Sequence, residues 1–308
     1  SMLTLMSEPT LRKLLIFADS RQDAAFQAGW MDERAKRFRL RHIAYQIVRE
    51  GGEPWGWQRF ADEIIARAQQ EGVLPRKDFD NREQQTRIRW FLIEEFAYVT
   101  QRRSNLEQLG LVGLVYGDLL SQTHDPLFVD WAERFGTTPE AVLACVQTLL
   151  DTYRRKGVLS DELLARWWSN QDQEVYKGWV NVPDFYRPQA LVLEKPSRHQ
   201  ALIGWIASNG RSAAQLIVQR AFNVSGHPRD NFLHAVWKWL VEQNYLRPVE
   251  LVQRRRGRFQ AIPGLPPEVY QVNVDRLGLL EAHERYVCTH CHRAQQVMLP
   301  SGACPEYG

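Results

Sequence analysis

Pro228-Arg229-Asp230-Asn231-Phe232-Leu233-His234-Ala235-Val236-Trp237-Lys238-Trp239-Leu240 and, shortly after it, Arg254-Arg255-Arg256-Gly257-Arg258 set the reading of this chain. In the first segment Phe232, Leu233, Val236, Trp237 and Leu240 recur at helical spacing and form one apolar stripe. Asn231, His234, Ala235 and Lys238 are left together on the opposite side. That side is small and polar, the shape a helix needs to enter a major groove about as wide as itself. An ordinary amphipathic helix with a solvated face fits the same pattern equally well.

Working outward, helices are expected at residues 197–208, 211–222 and 228–243. Two β-like segments follow, Tyr245–Gln253 and Val269–Leu277, joined by a loop rich in arginine, glycine and proline. Three short helices and a hairpin make a winged helix-turn-helix over residues 197–280. This stretch holds eleven Arg or Lys against five Asp or Glu, although the whole chain carries only +3. Basic character is therefore concentrated, as a phosphate-binding surface requires. Arg254, Arg255, Arg256 and Arg258 at the hairpin tip project freely and can neutralise phosphates without desolvation. Arg211 and Arg229 add to the same basic surface. A solubilising charge run, or a winged module that docks protein, remains the competing reading of those arginines.

Upstream, Lys13-Leu14-Leu15-Ile16-Phe17-Ala18 is a short apolar run ending in Asp19-Ser20, the pattern of a buried parallel strand followed by a loop. A helix is expected from Gln22 to Gly52, then helices over Trp57–Gln70, Arg82–Gln101, one opened by Thr138-Pro139-Glu140, and Ser160–Ser169. Gly110–Tyr116 reads as a short strand or a tight join, and Gly51-Gly52 and Asp125-Pro126 as turns. Pro183, Pro188 and Pro196 mark an irregular boundary over 181–196. The tryptophan pairs Trp55-Trp57, Trp167-Trp168 and Trp237-Trp239 are read as core in preference to base-stacking platforms.

Near the end, Cys288-x2-Cys291 is followed by Cys304-Pro305-Glu306-Tyr307-Gly308. This is three-quarters of a zinc ribbon, with Cys288, Cys291 and Cys304 as ligands and the fourth cysteine expected beyond Gly308. His283, His290 or His292 could substitute. A redox dithiol is the poorer reading, because no thioredoxin-like βαβ pattern surrounds the pair. Cys145 falls in the apolar pattern Val142, Cys145, Leu149 and is read as a buried, inert thiol.

Other classes are excluded by what is missing. No GxxxxGK[ST] loop exists to cradle nucleotide phosphates, and no GxSxG elbow, HExxH or supported carboxylate pair appears. Asp32-Glu33-Arg34-Ala35 imitates a helicase acidic box but lies in a polar helical segment, not after a buried strand. No catalytic residue is therefore assigned. No run approaches the roughly 20 apolar residues of a spanning helix, and no secretory signal opens the chain, so a cytoplasmic address is expected. Ser1-Met2 reads as the remnant of a cleaved tag, and the 308 residues as a fragment of a longer protein.

Leu14-Leu15-Ile16-Phe17-Ala18-Asp19-Ser20-Arg21-Gln22-Asp23-Ala24-Ala25 resembles motif IV of very large bacterial superfamily 2 DEAD/DEAH-box helicases, the MrfA-like group of DNA-repair and phage-defence systems. Arg103-Ser104-Asn105-Leu106-Glu107-Gln108-Leu109-Gly110-Leu111 looks like a recurrent stretch of the same group. The resemblance implies that the segment opens a second RecA-like domain and that the remainder is an insertion. It further implies that Ser20, Arg21 and Gln22 lie near the nucleic-acid track. Motifs I, II, V and VI are not in the chain, so ATP, magnesium and unwinding belong to the full-length parent.

The expected fold class is mainly α (α+β). Residues 1–50 form a motif IV strand and helix, 51–180 a helical insertion, 197–280 the winged helix and 284–308 a truncated zinc ribbon. The expected function is a DNA-binding accessory region of an ATP-dependent helicase, acting on single-stranded or forked DNA, with RNA an open alternative. A winged-helix transcriptional regulator and a protein-docking scaffold are the rival readings.

Overall fold

Asp125-Pro126 and Thr138-Pro139 each start a helix for the same reason. The Asp125 carboxylate accepts from Leu127 N at 2.9 Å and the Thr138 hydroxyl from Ala141 N at 3.3 Å, while each proline occupies a first-turn position whose N–H would have no partner. The turn expected at Asp125-Pro126 is thus the cap of a helix. The computed structural model describes residues 21–75, 81–97, 104–169, 185–194, 199–283 and 285–306, with side chains from Arg34 in the first helix and from Arg82 in the third. The strand expected at Lys13–Ala18 lies outside the described residues.

The elements run α1 (Arg21–Gly51), β1 (Trp55–Gly56), α2 (Trp57–Gln70), α3 (Asn81–Phe96), β2 (Val112–Tyr116), α4 (Pro126–Phe135), α5 (Pro139–Arg154) and β3 (Arg166–Trp167). There follow β4 (Ala190–Glu194), β5 (Leu202–Ile206), α6 (Ala213–Phe222), α7 (His227–Glu242), β6 (Leu246–Pro248), β7 (Val252–Arg255), β8 (Arg258–Ala261), β9 (Tyr270–Val272), β10 (Leu277–Glu281), β11 (Tyr286–Val287) and β12 (Ala294–Gln295). The molecule is α+β, as expected. Among the described residues no helix is long and apolar enough to cross a membrane.

Two expected helices are not helices. Residues 197–208 contain β5, which pairs in parallel with β4, Leu191 opposite Ile203. A strand covered on both sides reads as a continuous apolar run, which Ala201–Ala207 shares with a short buried helix. Ser160–Ser169 is a turn followed by β3. Here Ser160 N donates to Val272 O, and the Asp161 carboxylate takes Leu163 N at 2.9 Å, Trp57 Nε1 at 3.1 Å and both sides of the Arg89 guanidinium. One helical turn does form, Leu164 N and Ala165 N donating to Asp161 O, but it ends where Val252 N donates to Ala165 O and Trp168 N to Tyr186 O, which commits the chain to strand pairing. The irregular stretch 181–196 also yields a strand, β4.

A sheet of order β5-β4-β9-β6 backs α6 and α7, with Leu246 opposite Val272. A second sheet, β1-β10-β2, joins remote parts of the chain, with Leu279 opposite both Trp55 and Leu114. One apolar cluster is continuous from Leu40 through Leu149, Trp205 and Leu240 to Leu299. A smaller cluster of Ala190, Val192, Leu202, Leu251, Ile262 and Val269 lies beneath the β7–β8 hairpin. Trp57, Trp168, Trp237 and Trp239 are buried in the main cluster, while Trp55 and Trp167 stay partly exposed.

The interior also holds charge. Arg154, fully buried, donates to Glu107, to Asp151 at 2.8 Å, to the Tyr116 hydroxyl at 3.0 Å and to the Phe96 carbonyl. Arg155 donates to the same Glu107 oxygen at 2.7 Å. Glu95 accepts from Arg37, from Arg41 and from Leu106 N. Asn105 and Gln108 bond reciprocally through side chain and backbone, which fixes the turn carrying Leu106 and Glu107. The stretch Asn105–Gly110 is therefore a clamp that ties α1, α3 and α5 together.

Candidate nucleic-acid interface and metal centre

The basic hairpin is built from a two-residue turn. Arg255 pairs with Arg258, and the residues between them, Arg256 at φ 51° and Gly257 at φ 78°, both adopt left-handed backbone. Two positive φ values are the mark of a type I′ turn, whose twist matches that of the flanking strands. Glycine supplies one of them at no steric cost. Arg254, Arg255, Arg256 and Arg258 are all exposed, and no carboxylate pairs with Arg255, Arg256 or Arg258 among the described residues. β3 adds a third strand, parallel to β7, with Trp167 opposite Gln253.

Helix α7 presents Asn231, His234 and Lys238 to solvent, while Phe232, Leu233, Val236, Trp237 and Leu240 are buried as their spacing predicts. That outer face is partly neutralised. His234 Nε2 lies 3.8 Å from Glu194 and Lys238 Nζ 3.7 Å from Glu242. Arg211 is exposed beside the Ser212 cap of α6, where Ser212 and Gln215 bond reciprocally. Arg229 is a correction to the expected basic surface: it is 5% exposed, and donates to Asp230 at 2.9 Å and to the Gly210 carbonyl at 3.1 Å. Its charge is used to hold the start of α7 against the turn before α6. Arg220, Arg247 and Arg276 are likewise engaged, with Pro305 O, Asp275 and Gln243 O respectively. Among the described arginines of residues 197–280, those without a carboxylate or carbonyl partner are Arg255, Arg256 and Arg258 on the hairpin, with Arg211. Ser20 lies outside the described residues, and Arg21 and Gln22 open α1 with side chains that are not described.

Cys288, Cys291 and Cys304 converge, their sulfurs all within 4.8 Å of one another. Cys288 follows β11 and Cys291 precedes β12, so the short antiparallel pair holds the knuckle in place. The Cys288 sulfur accepts from Cys291 N at 3.5 Å and His290 N at 3.4 Å, and the Cys288 carbonyl accepts from His292 N at 2.9 Å. Those backbone donors, Cys291 first, lower the Cys288 thiol to about 7. Burial leads the opposite shift at Cys291, which is raised. Thiolates are the metal-binding form, so the donors around Cys288 favour a bound cation. The three sulfurs can hold a metal. None of His283, His290 and His292 joins them in the described cluster. Cys145 is fully buried, as expected, and burial pushes its thiol up.

Sequence reasoning missed Phe185 and Arg187, because their neighbourhood was read as an irregular boundary. They stand against Trp167, with the Arg187 guanidinium 4.8 Å from its ring centroid. Compared with protein-family profiles, curated proteins and solved structures, the chain matches none.

Proposed function

We propose that this chain is a nucleic-acid-binding region, gripping the phosphate backbone through the β7–β8 hairpin as an accessory part of an ATP-dependent DNA helicase. The observation that carries the reading is the hairpin itself: exposed Arg255, Arg256 and Arg258 on a tight projecting turn without carboxylate partners among the described residues. Guanidiniums held in solvent gain by displacing counterions from a polyanion, and each phosphate they neutralise adds to the salt dependence of binding. Two of the three helices expected over residues 197–280 form, α6 and α7, and the antiparallel β6–β9 pair after them supports reading this hairpin as the wing of a winged helix, with α5 taking the part of the first helix. The carboxylates beside His234 and Lys238 assign backbone grip to the wing ahead of groove reading by α7.

The helicase assignment rests on the resemblance of residues 14–25 and 103–111. Of the second stretch, Asn105–Gly110 serves as the clamp around Glu107, a structural role. Zinc is the ion proposed for Cys288, Cys291 and Cys304, since three converging soft sulfur donors suit it. When bound it would fix the loop that Arg220 and Arg285 tie to the body through Pro305 O, Leu109 O and Gly110 O.

Charge reversal of Arg254, Arg255, Arg256 and Arg258 tests the proposal in an anisotropy titration with labelled DNA over a salt series. The slope of log K against log salt should fall by about 0.7 to 0.9 for each phosphate no longer neutralised. An unchanged affinity and slope would remove the hairpin from the mechanism.

A further inference from the structure

The third strand beside the hairpin gives it two unlike faces. Directly opposed residues share a face, as do residues two apart along a strand. Trp167 opposes Gln253, Gln253 opposes Gln260, and Arg255 opposes Arg258. These five residues therefore line one face. Arg254 and Phe259 oppose each other and line the other, where Arg166 stands 5.2 Å over the Phe259 ring.

The first face rises from the body of the protein. Its foot, Leu251 and Ile262, is buried in the smaller apolar cluster, and Trp167 packs on that cluster. Beside Trp167 stands Phe185, 53% exposed, with ring centroids 5.4 Å apart at 83°. The exposed Arg187 guanidinium lies over both rings, 4.8 Å from Trp167 and 5.2 Å from Phe185. Farther along the face come the Gln253 and Gln260 amides, then Arg255 and Arg258 at the tip. A lane results, with aromatic and guanidinium planes at one end, hydrogen-bonding amides in the middle and open positive charge at the other end.

We infer that this face binds a run of unpaired nucleotides. Bases stack on the exposed Phe185 ring and on the Arg187 plane that Trp167 supports, and phosphates run toward Arg255 and Arg258. Planar π surfaces and guanidiniums are the chemistry that takes up unstacked bases, and it tolerates any sequence because every base has a π face. Duplex has its base faces already stacked and meets only the charges. The inference rests on the nucleic-acid reading of the hairpin and goes beyond it by selecting strandedness and face.

The test measures anisotropy of the full chain with a labelled oligothymidylate and with a duplex of equal length. Phe185→Ala should weaken the single strand about tenfold while leaving duplex affinity and the salt slope unchanged. Phe259→Ala, on the opposite face, should change neither. Arg255→Glu with Arg258→Glu should weaken both ligands and lower the slope. Thermal unfolding of each variant, expected to match the parent because these side chains are exposed, guards against misfolding. If the arginine pair acts but Phe185→Ala does not, or if Phe259→Ala weakens the single strand equally, the stacking face is overturned while the hairpin keeps its role. If the arginine pair is silent as well, both readings fall.

Discussion

Arg154 donates from Nη2 to Glu107 Oε1 at 2.7 Å, with neither side chain more than 4% exposed. Arg155 reaches the same oxygen, so one carboxylate answers two buried guanidiniums. Glu107→Gln keeps the shape and removes the charge. Breaking one side of a buried ion pair leaves an uncompensated charge, and a loss of about 3 to 5 kcal/mol is expected in urea denaturation. A loss below about 1 kcal/mol, the range of surface pairs, would show that the network is not holding α3 and α5 together.

The same carboxylate sets an acid limb. Burial raises its pKa, but the Arg154 and Arg155 charges and hydrogen bonds outweigh that and hold it at about 2, below the ordinary 4.5. A carboxyl depressed in the folded state stabilises above its unfolded pKa, and that contribution is lost as pH falls. Stability should therefore decline between pH 4.5 and about 2. Glu95 works the other way, because burial outweighs Arg41 and Arg37 and raises it, so its effect is a gain in stability as pH falls toward 4.5, above the window of the Glu107 loss. Denaturant midpoints flat across this window would refute the assignment.

The thiols divide into two classes. Native protein treated with an alkylating reagent after metal removal should label Cys288, Cys291 and Cys304 and spare the fully buried Cys145. Added zinc should bind at about one equivalent and protect the three labelled thiols. Cys291→Ser should weaken that protection. Labelling of Cys145 at the same rate as the others would contradict its burial.

At the hairpin tip, Gly257 has open space around a Cβ but a φ of 78°. Gly257→Val therefore fails for conformational reasons and not for lack of room. The turn should open, DNA affinity should fall several-fold, and the thermal midpoint should move little because the tip is solvated. An unaltered affinity would mean that the arginines act independently of the turn geometry.

What could be read from the sequence follows a physical divide. Helices whose caps and stripes are local were legible: α2 spans Trp57–Gln70 as its apolar spacing predicts, and α5 begins at the Thr138-Pro139 cap. Elements decided by remote partners were not. β4 and β5 are recognisable only once paired, and Ser160–Ser169 leaves the helical path after one turn because Ala165 O and Trp168 N pair with the remote Val252 and Tyr186. The cysteine cluster was legible because its geometry is written in its spacing. Arg229 was not, since nothing in the chain signals that the Gly210 carbonyl waits beside it.

The strand β10 lies between β1 and β2, although Leu279 and Leu114 are separated by more than half the chain. During synthesis the helices near the amino end must therefore wait with an open strand edge until residues around 280 leave the ribosome. Loop closure over that distance is slow, and unpaired edges invite association with other chains. Truncations that stop before Leu277 should accordingly accumulate as aggregates, even though every helix they contain is intact.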